Sequence, residues 1–286
     1  MNKKAEYFYT IFNGLDKAGF GSMIQLQLVL FCYCIENKKK FISPGFKKLN
    51  HWQLENNISQ IEFSDSLSEF IPNHDFIKTS KNIYTYINEN FLMKYWLEFN
   101  VNKFSDILSK QEFNYKIDSL IFDKRIINVA IHYRVSLPTD TDNFQSVRNY
   151  GEDEFFEKSI SLIVNKFRNT KFQIHVFTQK NTNFIAKIQK THSVIIHDSM
   201  PVYDTFLHFI HADVLVCSKS SLSWSAHLYG KNKLVIGRTF WHPWKRGTIL
   251  INNNSEIITN LKRKIIAIKY FFIKNLKSDL YTQYDT

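Results

Sequence analysis

ADVLVCSKSSLSWSAHLYG, residues 212–230, runs from a short apolar stretch into five serines within eight positions, then to a tryptophan, a histidine and a glycine. The segment "DVLVCS" reads as a buried strand, and Ser220 or Ser221 as the N-cap of a short helix, "SLSWSAHLY", that stops before Gly230. A second apolar strand, "KLVIG" (233–237), follows directly. Strand, helix and strand in so short a span is the building unit of a parallel sheet.

Working outward, the same alternation extends upstream. "IINVAIHYR" (126–134) is almost uniformly apolar up to His132, as a strand covered on both faces must be. It is followed by a polar loop (136–151), a helix (152–167), a strand "FQIHVFT" (172–178), a helix "TNFIAKIQK", a strand "HSVIIHD" (192–198) and a helix "VYDTFLHFIH" (202–211). The N-terminal part begins another βαβ series: strand "YFYTIF" (7–12), loop "NGLDKAGFG", a helix from about Ser22 to Asn37, and strand "KKFIS". Residues 50–125 are less regular, with polar loops and helices such as "NENFLMKYWLEF" (88–99). The fold class is therefore α/β with parallel sheets. Residues 1–125 are expected as an N-terminal α/β domain and 126–250 as a second one. Residues 251–286 are expected as a C-terminal segment built on one long helix (255–278), apolar on one side and basic on the other. That helix is assigned to packing back across the domains, with peripheral contact to a membrane surface as the other use of such a face.

The chain has 286 residues with 44% hydrophobic and 16% aromatic content, which supports a packed core and excludes a disordered tail. A formal charge of +11 and a pI near 9.3 fit an anionic partner. The basic clusters at 36–41, 46–50 and 260–264 are separate and carry no aromatic-interleaved nucleic-acid module, so nucleic acid is not the expected partner. Cys32, Cys34 and Cys217 all lie in apolar runs and read as buried thiols in a reducing compartment. "MNKKAEYFYT" lacks the apolar core of a signal peptide, and the glutamine-broken run 23–35 is too short to span a bilayer. A cytoplasmic location, peripheral to a membrane at most, is the expectation.

In open parallel sheets ligands bind beyond the carboxyl ends of the strands, and three loops there carry chemistry. "GLDKAGFGSMIQ" (14–25) is a glycine-bearing loop opening a helix; it lacks GxGxxG spacing, and its simplest reading is a strand–helix turn capped by Ser22. "AIHYRVSLPTDTDN" (130–143) delivers His132 and Arg134, at i and i+2, to one side of a strand end. The guanidinium fork suits a diphosphate, and a structural ion pair is the alternative use of such an arginine. In the third loop Ser218, Ser220, Ser221 and Ser223 exceed what one cap requires, and hydroxyls beside free helix amides make an anion site. The ten histidines are scattered, HExxH and DxD are absent, and "TDTD" (139–142) is a weak cation pair, so no metal or other cofactor is expected. "SKSSLS" is not the GxSxG of a serine-nucleophile hydrolase.

Three of these segments, in this order, resemble the fucosyltransferase superfamily, most closely its α-1,2-fucosyltransferase branch and related microbial and viral glycosyltransferases. "GFGSMIQLQLVLFCYCIENKKKFIS" is similar to the family's GGLGNQ loop and helix, "IHYR" to its HxRRxD strand, and "ADVLVCSKSSLSWSAHLYGKNKLVIG" to its serine-rich segment. The likeness covers about the first 45 residues and 126–245. It implies a GT-B fold of two Rossmann-like domains with a donor cleft between them, and a metal-independent, inverting transfer of a sugar from a nucleotide to a glycan hydroxyl. The usual donor is GDP-fucose. By the same resemblance Arg134 clamps the diphosphate with His132 alongside, and Ser220 and Ser221 hold phosphate near Ser218. Leu222 backs the nucleotide, Asp204 reads the guanine edge, and Gly19, Phe20 and Gly21 line the cleft. Val135 and Leu137 stand where the family has arginine and aspartate, and Ser22 or Met23 where it has asparagine, which leaves UDP-xylose or another sugar nucleotide open as donor.

An inverting transfer needs a base for the acceptor hydroxyl, and Asp142 is the first choice, ten residues after His132, with Asp140 and Asp16 as alternatives. A non-catalytic α/β protein that binds sugar nucleotides or anionic membranes is the competing class.

Overall fold

The computed structural model describes residues 7–11, 19–41, 43, 70–71, 83–87, 100–109, 120–134, 152–179, 182–198, 200–240, 242–252 and 254–258. The expected helix at 88–99, most of the expected C-terminal helix, and Asp16, Asp140 and Asp142 lie outside the described residues. The chain divides into two compact units, residues 1–120 with 201–207, and residues 121–200 with 208–286.

In the first unit β1 (Tyr7–Ile11) is the middle strand of a three-stranded parallel sheet. The helix α1 (Phe20–Glu36) follows, and β2 (Lys40–Phe41) pairs with β1 through Phe8↔Lys40 and Tyr9↔Phe41. On the other side β3 (Ile83–Ile87) runs in register from Tyr7↔Ile83 to Ile11↔Ile87. The α1 sequence is apolar around most of its circumference, and its residues from Met23 to Cys32 are buried, which is the pattern of a core helix. Its two buried glutamines break the hydrocarbon but not the packing; Ser43 Oγ donates to Gln27 Oε1 at 2.5 Å. The helix starts two residues before Ser22, with Gly19 as N-cap and no side-chain cap, so the expected Ser22 cap is corrected. The physical cause is Phe20, whose ring packs against Phe70 and Phe206 at 6.2 and 5.3 Å and draws the first turn into the core. Farther on, α2 (Val101–Leu108) is capped by Asn100 Oδ1, which accepts from Lys103 N, and Lys103 Nζ reaches Glu36 Oε1 at 2.9 Å.

The second unit is built on a seven-stranded sheet. In chain order its elements are β4 (Ile127–Tyr133), α3 (Glu152–Lys166), β5 (Phe172–Thr178), α4 (Asn183–Thr191), β6 (Val194–His197), α5 (Val202–His211), β7 (Val214–Cys217), α6 (Ser221–Tyr229), β8 (Leu234–Arg238), β9 (Ile249–Ile251) and β10 (Ile257–Ile258). Of α5, residues 202–207 belong to the first unit. The strand order is β10-β9-β8-β7-β4-β5-β6, parallel except for the β9–β10 pair. Side chains alternate across the sheet. Val129, Ile131 and Tyr133 of β4, with Ile174, Val176, Val214, Val216, Ile236 and Ile251, pack on Phe155, Phe156, Ile160 and Ile163 of α3 and Phe184, Ile185 and Ile188 of α4. The intervening residues, such as His132 and Phe177, meet Phe209 of α5. Coverage on both faces is why "INVAIHY" is apolar without a period of two.

At the C-terminal side the expected helix from Ser255 is corrected over its first turn. Asn252 Oδ1 accepts from the amides of Asn254 and Glu256, both at 2.9 Å, and Ser255 takes φ 59°, so the chain folds back and Ile257 pairs with Ile251. An asparagine that satisfies two amides of its own turn competes with helix entry. No described helix is long and apolar enough to cross a membrane.

Candidate functional site

The strand order locates the site. From β4 the chain winds outward through β5 and β6 on one side, then returns to the other side of β4 and winds outward through β7, β8 and β9. With β4 as the first strand this is the order 3-2-1-4-5-6, with β10 added antiparallel at the edge. The connections leaving β4 and β7 diverge, so a crevice opens at the carboxyl ends of these two neighbours.

Two side chains meet across this point. Ser218, just past β7, places Oγ 3.3 Å from Nδ1 of His132, near the end of β4. His132 is 6% exposed and its ring lies 5.0 Å from that of Phe209. Burial, with the charge of Arg134 adding to it, pushes the imidazole down to about 3, so His132 is neutral at pH 7 and holds Ser218 without contributing positive charge. Arg134 follows at the strand end, half-buried, and its Nη1 donates to Oε1 of Gln179 beyond β5. That bond sets the plane of the guanidinium at the carboxyl edge of the sheet. Tyr133 points to the opposite face, where its hydroxyl donates to Asp153 Oδ1 at 2.8 Å.

The serine cluster resolves into distinct jobs. Ser220 is the N-cap of α6: its Oγ accepts from Leu222 N at 3.2 Å and its carbonyl from Trp224 N at 3.2 Å. Ser221 Oγ lies 3.2 Å from His242 Nε2. Ser223 and Ser225 are buried along the helix, with no hydrogen-bond partner for either hydroxyl among the described residues. Leu222 is half-buried in the first turn. By α-helix geometry the amides of Ser221 and Ser223 have no carbonyl one turn back, so they are donors for a ligand at this end.

The predicted residues therefore separate. His132, Arg134, Ser218, Ser220, Ser221 and Leu222 all stand at the carboxyl ends of β4 and β7. Gly19, Phe20 and Gly21 belong to the first unit, where Gly19 caps α1 and Phe20 is a 4% exposed core residue. Asp204, in the first turn of α5, also belongs to that unit.

Sequence reasoning overlooked a group of buried charges beside this site. Arg238, the last residue of β8, is 0% exposed; its Nε is 3.5 Å from Glu152 Oε1 at the start of α3, and its guanidinium lies 5.2 Å from the Phe155 ring centre. Lys219, between Ser218 and Ser220, is buried as well. Burial drives the Glu152 carboxyl upward against the pull of Arg238 and Lys219, and drives the Lys219 ammonium downward. The signal was an arginine closing the apolar run "LVIG" (234–237), where a parallel strand meets its ligand edge. Also overlooked was His242, which is 1% exposed and stacked on Trp224 at 5.2 Å and 15°. Among the described residues no group of three or more His, Cys, Asp or Glu side chains is arranged to hold a metal ion.

No protein-family model matches the chain, and no curated protein aligns with it. Among solved structures it is similar to the NodZ α-1,6-fucosyltransferase co-crystallised with GDP, at 8% identity over 80% of this chain and 93% of that one, with a TM-score of 0.37. It is likewise similar to the ADP-heptose LPS heptosyltransferase II of E. coli, at 9% identity over 94% of this chain and 99% of that one, TM-score 0.38. The E. coli heptosyltransferase WaaC with ADP-2-deoxy-2-fluoro heptose gives 9% identity, 94% and 99% coverage, and a TM-score of 0.38. Values this low assign no activity to this chain.

Proposed function

We propose that this chain is a glycosyltransferase of the GT-B kind, binding a nucleoside-diphosphate sugar at the carboxyl ends of β4 and β7 and moving the sugar to a glycan hydroxyl. The observation that carries the reading is the crossover point of the 3-2-1-4-5-6 sheet, closed by the Ser218–His132 contact and flanked by Arg134 and by the start of α6. A cation on one side and helix amides with hydroxyls on the other make a receptor for a diphosphate.

In the transfer, the acceptor oxygen forms a bond to the anomeric carbon as the bond from that carbon to the diphosphate breaks. The hydroxyl proton goes to a carboxylate, and the electron pair leaves with the nucleoside diphosphate. Negative charge grows on the leaving group, and Arg134 with the Ser221 amide and the hydroxyls of Ser220 and Ser221 is the part of this chain that would stabilise it. With a guanidinium and fixed dipoles in that role, the reaction is proposed as metal-independent and inverting. Asp142 is proposed as the base, with Asp140 and Asp16 as alternatives. GDP-fucose is the proposed donor on the motif likeness, and UDP-xylose is the alternative.

The test is donor turnover by the wild type and Arg134→Ala, with GDP-fucose, UDP-xylose and ADP-sugars supplied in parallel. Removal of one charge-stabilising group is expected to lower turnover about 10²–10³-fold. Excess EDTA is expected to leave the wild-type rate unchanged. Equal rates in wild type and Arg134→Ala would remove the clamp assignment. Binding of nucleotides without transfer or hydrolysis of any donor would favour the non-catalytic class.

A further inference from the structure

The functional reading above does not use His242, yet this side chain is among the most fully buried polar groups of the second unit. We infer that His242 is a positioning residue of the diphosphate site, holding Ser221 so that its hydroxyl hydrogen is directed to a phosphate oxygen; the inference rests on the proposed function and extends it to a residue outside the serine segment.

Three contacts carry it. His242 Nε2 and Ser221 Oγ are 3.2 Å apart. The imidazole stacks on Trp224 at 5.2 Å with an interplanar angle of 15° and meets Phe240 at 5.4 Å, so the ring has little freedom to turn. Trp224 is itself pinned, its Nε1 donating to the carbonyl of Pro243 at 2.6 Å. Ser221 and Trp224 are three apart on α6 and share one face of the helix. That face therefore grips consecutive residues, His242 and Pro243, in the connection after β8.

The direction of the hydrogen bond follows from the ligand. A serine hydroxyl has one hydrogen to give and lone pairs with which to accept. If it donated to His242, only lone pairs would remain for the phosphate, whose oxygens accept. An imidazole with its proton on Nε2 reverses this: His242 donates to Ser221 Oγ, and Ser221 donates to phosphate. Two hydrogen bonds in line polarise one another, so the ring strengthens an anion contact that it never makes itself.

The experiment measures GDP, ADP, UDP and pyrophosphate binding by titration calorimetry for wild type, His242→Phe, Ser221→Ala, the double variant and His242→Gln. His242→Phe keeps an aromatic ring on Trp224 but loses the nitrogen, and affinity is expected to fall about fivefold, the value of one neutral hydrogen bond. Ser221→Ala removes the bond to the phosphate anion itself and is expected to cost about tenfold or more, and the double variant no more than Ser221→Ala, because His242 acts only through Ser221. His242→Gln, which restores an N–H donor, is expected to recover affinity within about twofold of wild type, the restored hydrogen bond being the term that His242→Phe removes. Unchanged affinity in His242→Phe, or losses that add in the double variant, would overturn the inference. If His242→Phe does not fold, ¹⁵N-histidine NMR of the wild type bound to GDP decides: an Nε2-protonated His242 supports the inference, and an Nδ1-protonated neutral ring defeats it. A wild type that binds none of the four ligands overturns the functional reading and this inference with it, whereas binding that ignores residue 242 overturns this inference alone.

Discussion

Gly237 shows how closely single side chains are fitted around the site. A Cβ at this position would stand 2.8 Å from the Trp244 ring, so the indole, which meets His227 at 5.6 Å, would have to shift. Gly237→Ala is expected to cost about 1–3 kcal/mol, read as a lower urea midpoint, since overpacking forces neighbours off their preferred positions. Ser218 is the polar counterpart. Ser218→Ala takes away the group facing His132 Nδ1, and leaving a buried nitrogen without it is expected to cost about 1–3 kcal/mol in the same measurement. At this scale the sequence was legible where chemistry is local: His132 and Arg134 close an apolar strand, and hydroxyls crowd a helix start. His242 was not legible as the partner of Ser221, because a contact across 21 residues depends on how the connection after β8 packs onto α6. Glu152 was likewise read only as the first residue of a helix, and only the sheet edge shows it buried beside Arg238.

Among the elements, α6 joins fold and site most directly. Ser220 gives its hydroxyl oxygen to the Leu222 amide, so without ligand Ser220→Ala is expected to lower stability by about 1 kcal/mol and Ser220→Gly by only a few tenths. Equal thermal midpoints for wild type and Ser220→Ala would contradict the cap assignment. The strands and helices from 127 to 238 follow the apolar runs and caps closely because each is long enough to stand out as an apolar run or as a helix between loops. β9, with three residues, and β10, with two, are too short to do so, and the turn between them is decided by the Asn252 side chain. β3 (Ile83–Ile87) escaped because its five residues lie inside a polar, irregular stretch, and its strand character comes from pairing with β1.

Across the whole molecule, buried imidazoles set the response to acid. His132 is held down to about 3 and His175 to about 4, and His227 and the half-buried His197 are also lowered, burial being the first cause in every case. Each binds its proton more weakly folded than unfolded, so the stability it contributes is complete above its ordinary value near 6.5 and is lost as pH falls below it. A fully buried histidine contributes up to about 1.4 kcal/mol per pH unit in that range, and the half-exposed ones less. Glu152, raised by burial, runs in the opposite direction, losing stability as pH rises, but it is one group against these histidines. The urea midpoint is therefore expected to drop between pH 7 and pH 5; a midpoint constant over that range would contradict the burial of these rings. The same topology that buries them places His132, Arg134, Ser218, Ser220 and Ser221 at the crossover of the sheet, and the account stands on that location. The most direct test is a crystal structure of the chain with GDP. The account predicts the diphosphate at the carboxyl ends of β4 and β7, within hydrogen-bond distance of the Arg134 guanidinium and of the Ser220 and Ser221 hydroxyls or the Ser221 amide. GDP bound elsewhere on the chain, or no GDP bound at saturating concentration, would contradict it.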